Sequence, residues 1–280
     1  MVVAAYIGAF LAAVFYGVAT IFQAIAVDRL AKLPHKSGLA AVLRAGWLYG
    51  LGLLCDLLAF IVSALALHVL PLFLVESTIA SSVAVTAVLA VVILKQKLAK
   101  GEVVAVIVLV AGLVALALSA EEGTARHVSS AVGWILLGVT IPLIVVAVGC
   151  TWKARGHASG IVLAVIAGTG FGLVGVGARL IAVHSGIGGW LSDPYLWVII
   201  AQGGLAVVCY GYALDRLATT AVAALCFTIE TVVPSAIGLI WLGDGVRGGL
   251  WWLAAAGFVA TLGACLRLAS RSEVDLTEGP

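Results

Sequence analysis

Long apolar runs separated by short polar connections set the pattern of this chain. At about 20 apolar residues per membrane crossing, nine helices are predicted. They run over Val2 to Val27, Leu39 to Leu67, Pro71 to Leu94, Val103 to Ser119, Ser129 to Cys150, Ser159 to Val183, Pro194 to Leu214, Thr219 to Leu242 and Gly249 to Leu268. The short connections leave no room for an inserted soluble domain. Ser270 to Pro280 is polar and predicted to be a disordered tail.

The third run breaks the apolar pattern. PLFLVESTIASSVAVTAVLAVVIL carries Glu76 six residues in. Holding an ionised side chain in hydrocarbon is costly, so an acid there marks a functional site by default. A related phrase returns in the eighth run, where Ile229 to Ser235 read IETVVPS against VESTIAS at Val75 to Ser81, and it carries Glu230.

Composition agrees with the pattern. The 280 residues are 64% hydrophobic and 10% charged, against about half apolar and about a quarter charged in soluble domains. A polytopic all-α membrane protein is expected. The net charge of +2 comes from scattered basic residues that form no patch, so no nucleic-acid partner is expected. Cys55, Cys150, Cys209, Cys226 and Cys265 lie singly in apolar runs and read as small buried hydrophobes. Met1 leads directly into apolar residues without the basic region of a cleaved signal, so the first run is kept as a crossing.

Basic residues follow every second run: Arg29, Lys32 and Lys36; Lys95, Lys97 and Lys100; Lys153 and Arg155; Arg216; Arg267 and Arg271. The other side holds Arg126 and Arg247 beside Glu121, Glu122, Asp193 and Asp244. Cytoplasmic connections are enriched in Lys and Arg. The expected orientation in the inner membrane is therefore N-terminus outside and C-terminus cytoplasmic. Trp134, Trp152, Trp190, Trp197, Trp241, Trp251 and Trp252 fall near run ends, as an interfacial belt requires.

The two halves resemble each other. FYGVATIFQAIAV at Phe15 to Val27 and FGLVGVGARLIAV at Phe171 to Val183 share their first Phe and closing Ala-Val at equal spacing. Ala66-Leu67 closes the second run and Ala213-Leu214 the seventh, and 31 residues after each alanine stand Lys97 and Asp244. The chain thus divides into a four-helix repeat (1–120), a connecting helix (121–157), a second repeat (158–269) and the tail (270–280). The extra crossing inverts the second copy, a recurring plan of secondary transporters. In this ungapped alignment Glu76 matches Ala223 and Glu230 matches Val83. The two acids are seven residues, about two helical turns, apart. They are expected on equivalent faces at different depths.

Residues along this unit carry a family resemblance. The four-helix unit, with its Ala-Leu ending, Pro71 start, charged turn and Gly-rich fourth helix, resembles the small multidrug resistance proteins. The whole chain is similar to the drug/metabolite transporter superfamily. Within it, Gly46-Trp47 through Leu98, Asp56 with Phe60 four residues on, and Ala213-Leu214-Asp215 resemble the NIPA-like magnesium transporter branch. The chain departs from that pattern at Ala59, at Phe73-Leu74-Val75, at Lys97 and at Gln23. The resemblance implies a transporter with no cofactor, moving a small solute or ion, with a divalent cation among the candidates.

Asp56, Glu76 and Glu230 are the acids placed at depth, each a candidate proton carrier, cation ligand or half of an ion pair. Arg179 is the deepest base of the second half, either a partner for the glutamates or a side chain snorkelling to the interface. Gln23 and Gln202 either line the same cavity or bridge helices. His68 and His184 are expected at the interface. Pro234, one turn after Glu230, is the candidate gating kink. Gly170 to Gly175 fits GxGxxG but lies inside one apolar helix without the strand a dinucleotide site needs; Gly168 and Gly172 read instead as a close-packing pair. The sequence holds no nucleophile, phosphate-loop or metal-spacing motif, so no enzyme is expected. Metal ligation would fall to Asp56, Glu76 and Glu230 if a cation is carried. The expected activity is alternating-access transport of a small polar or cationic solute. The alternatives are a flippase for a lipid-linked headgroup and a non-transporting scaffold. Lipid is the expected surrounding partner, and a homodimer is compatible with the pattern.

Overall fold

The computed structural model describes residues 2–31, 39–94, 100–121, 123, 128–152, 156–182, 186–217 and 219–272. Lys32, Lys36, Lys95, Lys97, Glu122, Arg126, Lys153, Arg155, His184 and the tail 273–280 lie outside the described residues, as do the side chains of Arg44 and Arg271. The protein is built almost wholly of helices: α1 (Val2–Ala31), α2 (Leu39–Leu67), α3 (Leu72–Ala80), α4 (Ser82–Leu94), α5 (Lys100–Ser119), α6 (Ser130–Trp152), α7 (His157–Leu180), a short α8 (Ile187–Ser192), α9 (Pro194–Leu214), α10 (Thr219–Ile237) and α11 (Trp251–Ser272). Two-residue strands β1 (Ala120–Glu121) and β2 (Gly245–Val246) pair antiparallel, Ala120 opposite Val246. Among the described residues, seven helical stretches are long and apolar enough to cross a membrane; Val103–Ser119 and Trp251–Arg267 are shorter apolar helices.

The outer surface explains the composition. Leu65, Ile141 and Val145 are each more than 60% exposed, which water would disfavour and lipid accepts. Trp134, Trp152, Trp241, Trp251 and Trp252 point outward near helix ends. The interior is dominated by small residues, with Ala12, Ala59, Ala164, Ala167 and Ala206 fully buried. Small side chains allow helices to approach closely where lipid supplies no hydrophobic drive for association. Gly168 and Gly172 follow this logic. A Cβ on the first would come within 2.7 Å of the Cys226 carbonyl oxygen, and on the second within 2.9 Å of the Pro234 ring. Both glycines therefore seat α10 against α7.

Three departures from the predicted elements have local causes. The third run is broken at Ser81, whose backbone flattens to ψ −9 between α3 and α4. The Ser81 hydroxyl donates to the Thr78 carbonyl at 2.5 Å and the Thr78 hydroxyl to the Leu74 carbonyl at 2.7 Å. Such back-bonds compete with the helical ladder. In the eighth run, Pro234 removes a backbone donor, and the helix widens into a π turn over Gly238–Leu242. That turn closes on Gly243, whose left-handed φ of 75 suits only glycine without strain. Finally, α11 continues through Ser272, so residues 270–272, predicted within the tail, are helical.

Candidate functional site

The elements surround a cavity of about 660 Å³. Helix α1 contributes Tyr16 and Thr20, α2 contributes Asp56, Phe60 and Ser63, α3 contributes Glu76, α7 contributes Phe171 and Gly175, and α10 contributes Phe227 and Glu230. The cavity thus gathers the three acids that the sequence singled out. Spacing along α2 is helical, since Asp56, Phe60, Ser63 and Leu67 fall on one face.

Glu76 is almost fully buried, at 6% exposure. Its place depends on a glycine opposite: a Cβ at Gly175 would collide with the Glu76 carboxylate, so α7 leaves the space that the carboxylate fills. Glu230 and Glu76 lie within electrostatic reach of each other. Tyr16 lies near Ser63 and within reach of Glu76, Glu230 and Asp56. Asp56 is half-buried and accepts a hydrogen bond from Gln23 Nε2 at 2.6 Å. Among the described residues no cation and no hydrogen-bond donor stands against Glu76 or Glu230, and the Arg179–Asp244 ion pair involves neither. The three acids share the cavity, but no group of three His, Cys, Asp or Glu side chains among the described residues comes together to hold a metal ion.

The remaining candidates sit elsewhere. Arg179 is neither a partner of the glutamates nor a snorkelling side chain. It is 4% exposed and ion-paired with Asp244, because the end of α7 lies beside the turn after the π segment. The same guanidinium donates to the Leu67 and Leu70 carbonyls and to that of Gly123. Gln202 does not line the cavity. It is fully buried and bridges helices, its Nε2 donating to Thr140 Oγ1 at 3.1 Å while its Oε1 has no partner. Gln23 stands behind Asp56 and does not line the cavity wall. Pro234 is buried against Gly172. His68 is half-buried, with Nδ1 2.7 Å from the Ala64 carbonyl oxygen and Nε2 3.0 Å from that of Ile181. The GxGxxG run lies wholly inside α7.

Sequence reasoning missed Tyr16 and Asp244. Tyr16 stands beside the Phe15 that anchors the repeat alignment, but a tyrosine in an apolar run carries no signal that it faces a cavity. Asp244 sits in a connection, where an acid looks solvated; its partner is 65 residues away in the chain. Ser77, buried at 1% with an unpartnered hydroxyl, was also passed over beside Glu76.

Comparison with family models, characterised proteins and solved structures returns no match.

Proposed function

We propose that this chain is a secondary-active or facilitative membrane transporter of a small polar or cationic solute. The observation that carries the reading is the pair Glu76 and Glu230, lining one intramembrane cavity without a counter-cation among the described residues. Two ionised carboxylates in a low-dielectric cavity repel each other, and a bound cation or proton relieves that repulsion. A site that accepts either a cationic solute or a proton, but not both, couples their fluxes. The aromatic rings of Tyr16, Phe60, Phe171 and Phe227 lining the same cavity suit a partly apolar cation.

Alternating access by two inverted four-helix units fits the helix packing. α1 packs on α2 as α7 packs on α9, and α4 packs on α1 as α10 packs on α7. Across the division α3 meets α10 and α5 meets α11. On this reading α5 and α11 complete nine crossings, the N-terminus faces outside, and the C-terminus is cytoplasmic at the inner membrane. The helix interrupted at Ser81, five residues past Glu76, has the form that transporters use for midplane sites.

The test is a proteoliposome uptake panel of quaternary amines, polyamine, amino acids and magnesium under an imposed pH gradient, against protein-free vesicles. Magnesium belongs in it because that ion keeps several waters and is bound through one or two carboxylates. Uptake of at least one member above the protein-free rate supports transport; none above it counts against it.

A further inference from the structure

We infer that Arg179 and Asp244 form the latch of a gate that closes one end of the cavity, an assignment that rests on the transport reading above. The end in question carries the α2–α3 turn, the C-terminus of α7, the N-terminus of α9 and the π segment. Leu67, at the last turn of α2, lines the cavity, and its carbonyl is held by Arg179.

Three hydrogen bonds of the pair go to the end of α2, the α2–α3 turn and the start of α3, where backbone groups would otherwise be orphaned. Arg179 Nη1 donates to the carbonyls of Leu67 and Leu70, where α2 stops. Its Nη2 donates to Asp244 Oδ1 and, at 3.3 Å, to the Gly123 carbonyl. The other Asp244 oxygen accepts from the Leu72 amide at 2.7 Å. Leu72 opens α3, so Asp244 caps the helix that carries Glu76 one turn later, with its charge at the favourable end of the helix dipole. Arg179 lies one turn beyond Gly175, the residue against which the Glu76 carboxylate rests. Both sides of Glu76 are thereby tied to the same ion pair.

A backbone seam runs beside the pair. Ala120 pairs with Val246, the Arg247 amide donates to the Ser119 carbonyl at 2.9 Å, and the Gly123 amide donates to Val69 at 3.0 Å. The first two contacts join residues of the two units at this end, and the third ties the connecting segment to the turn after α2. The hinge candidates are adjacent: the π turn over Gly238–Leu242 and the left-handed Gly243 directly before Asp244. π turns recur at functional sites.

The chemistry suits a latch better than a permanent rivet. A buried ion pair has little net advantage, because desolvation offsets its attraction. Opening this end to water hydrates both partners and returns that desolvation cost. Arg179 Nε already lacks a partner in the closed form, so the closed arrangement is incompletely satisfied.

The test reads accessibility and needs no known solute. Ser82, half-buried in the cavity wall, is changed to cysteine, and its modification by a membrane-impermeant maleimide is followed by site-resolved mass spectrometry from each face of sided vesicles. With Arg179 and Asp244 intact, modification is expected from the end opposite the latch. Arg179→Gln and Asp244→Asn are each expected to raise modification from the latch end about tenfold, a shift of about 1.4 kcal/mol in the closed-to-open balance. Unchanged labelling from the opposite end shows that the variant is folded. Latch-end labelling that stays at its starting rate in both folded variants overturns the proposal. A second variant does not touch the ion pair. Ala120→Cys with Val246→Cys places a disulfide across β1 and β2; oxidation is expected to stop uptake of a solute identified by the panel, and reduction to restore it. Full uptake with the crosslink formed also overturns the latch. A chain that transports no solute still yields the labelling result, which separates failure of the latch from failure of the transport reading.

Discussion

Gly175→Ala tests the site where its geometry is tightest. A Cβ at this position would overlap a Glu76 carboxylate oxygen and stand 3.1 Å from its carboxyl carbon. The carboxylate must then move, α7 must shift, or both. Inserting one methyl group into such a contact costs about 1–3 kcal/mol. Because the atoms displaced are those assigned to cargo, most of that cost falls on binding. It corresponds to a loss of about 5- to 150-fold in apparent affinity. Helix stability moves the other way, since alanine is favoured over glycine within a helix by about 1 kcal/mol. The expected signature is a protein that melts in detergent near the wild-type temperature and has a strongly raised KM for uptake. Initial-rate uptake over a solute concentration series, with a thermal melt of the same preparation, gives both quantities. Wild-type affinity in a folded Gly175→Ala protein would refute the placement of Glu76 against α7, and with it the proposed reason that this glycine sits there.

Other outcomes follow from the same contacts. Glu230→Gln removes one of the two repelling carboxylates and should reduce gradient-driven uptake at least about tenfold, equivalent to about 1.4 kcal/mol, while flattening its dependence on external pH; rates measured across a pH series check this. Gln202 and Thr140 form an isolated pair away from the cavity. Thr140→Val alone should cost about 1–3 kcal/mol by stranding the amide, whereas Gln202→Leu with Thr140→Val should be close to neutral. Detergent melting curves distinguish the two cases, and uptake by the double variant should remain at the wild-type rate.

Much of the architecture was legible because lipid imposes a simple rule. Every crossing must satisfy its own backbone, so apolar length alone located the helices. Glu76, Asp56 and Glu230 stood out for the same reason, as charges where hydrocarbon was expected, and all three line one cavity. What stayed hidden depends on contacts between distant segments. The break at Ser81 comes from hydroxyl groups that bond to the backbone, and STIASS reads equally well as a continuous small-residue helix. Arg179 looked like a partner for the glutamates because they share the membrane-embedded part of the sequence; its partner Asp244 lies in a connection after the π turn. Gln202 and Gln23 were equivalent as sequence, two amides in apolar helices. Only the fold separates a bridge to Thr140 from a prop for Asp56.

The central claim is that Glu76 lacks a counter-cation in order to take a cargo or a proton in turn. Its most direct test is pH-gradient-driven uptake into proteoliposomes by wild type and Glu76→Gln, reconstituted at equal density and using the solute that gives the largest signal in the panel. The account predicts robust uptake by wild type and loss of the gradient-driven component in Glu76→Gln. Equal uptake by the two proteins would contradict it.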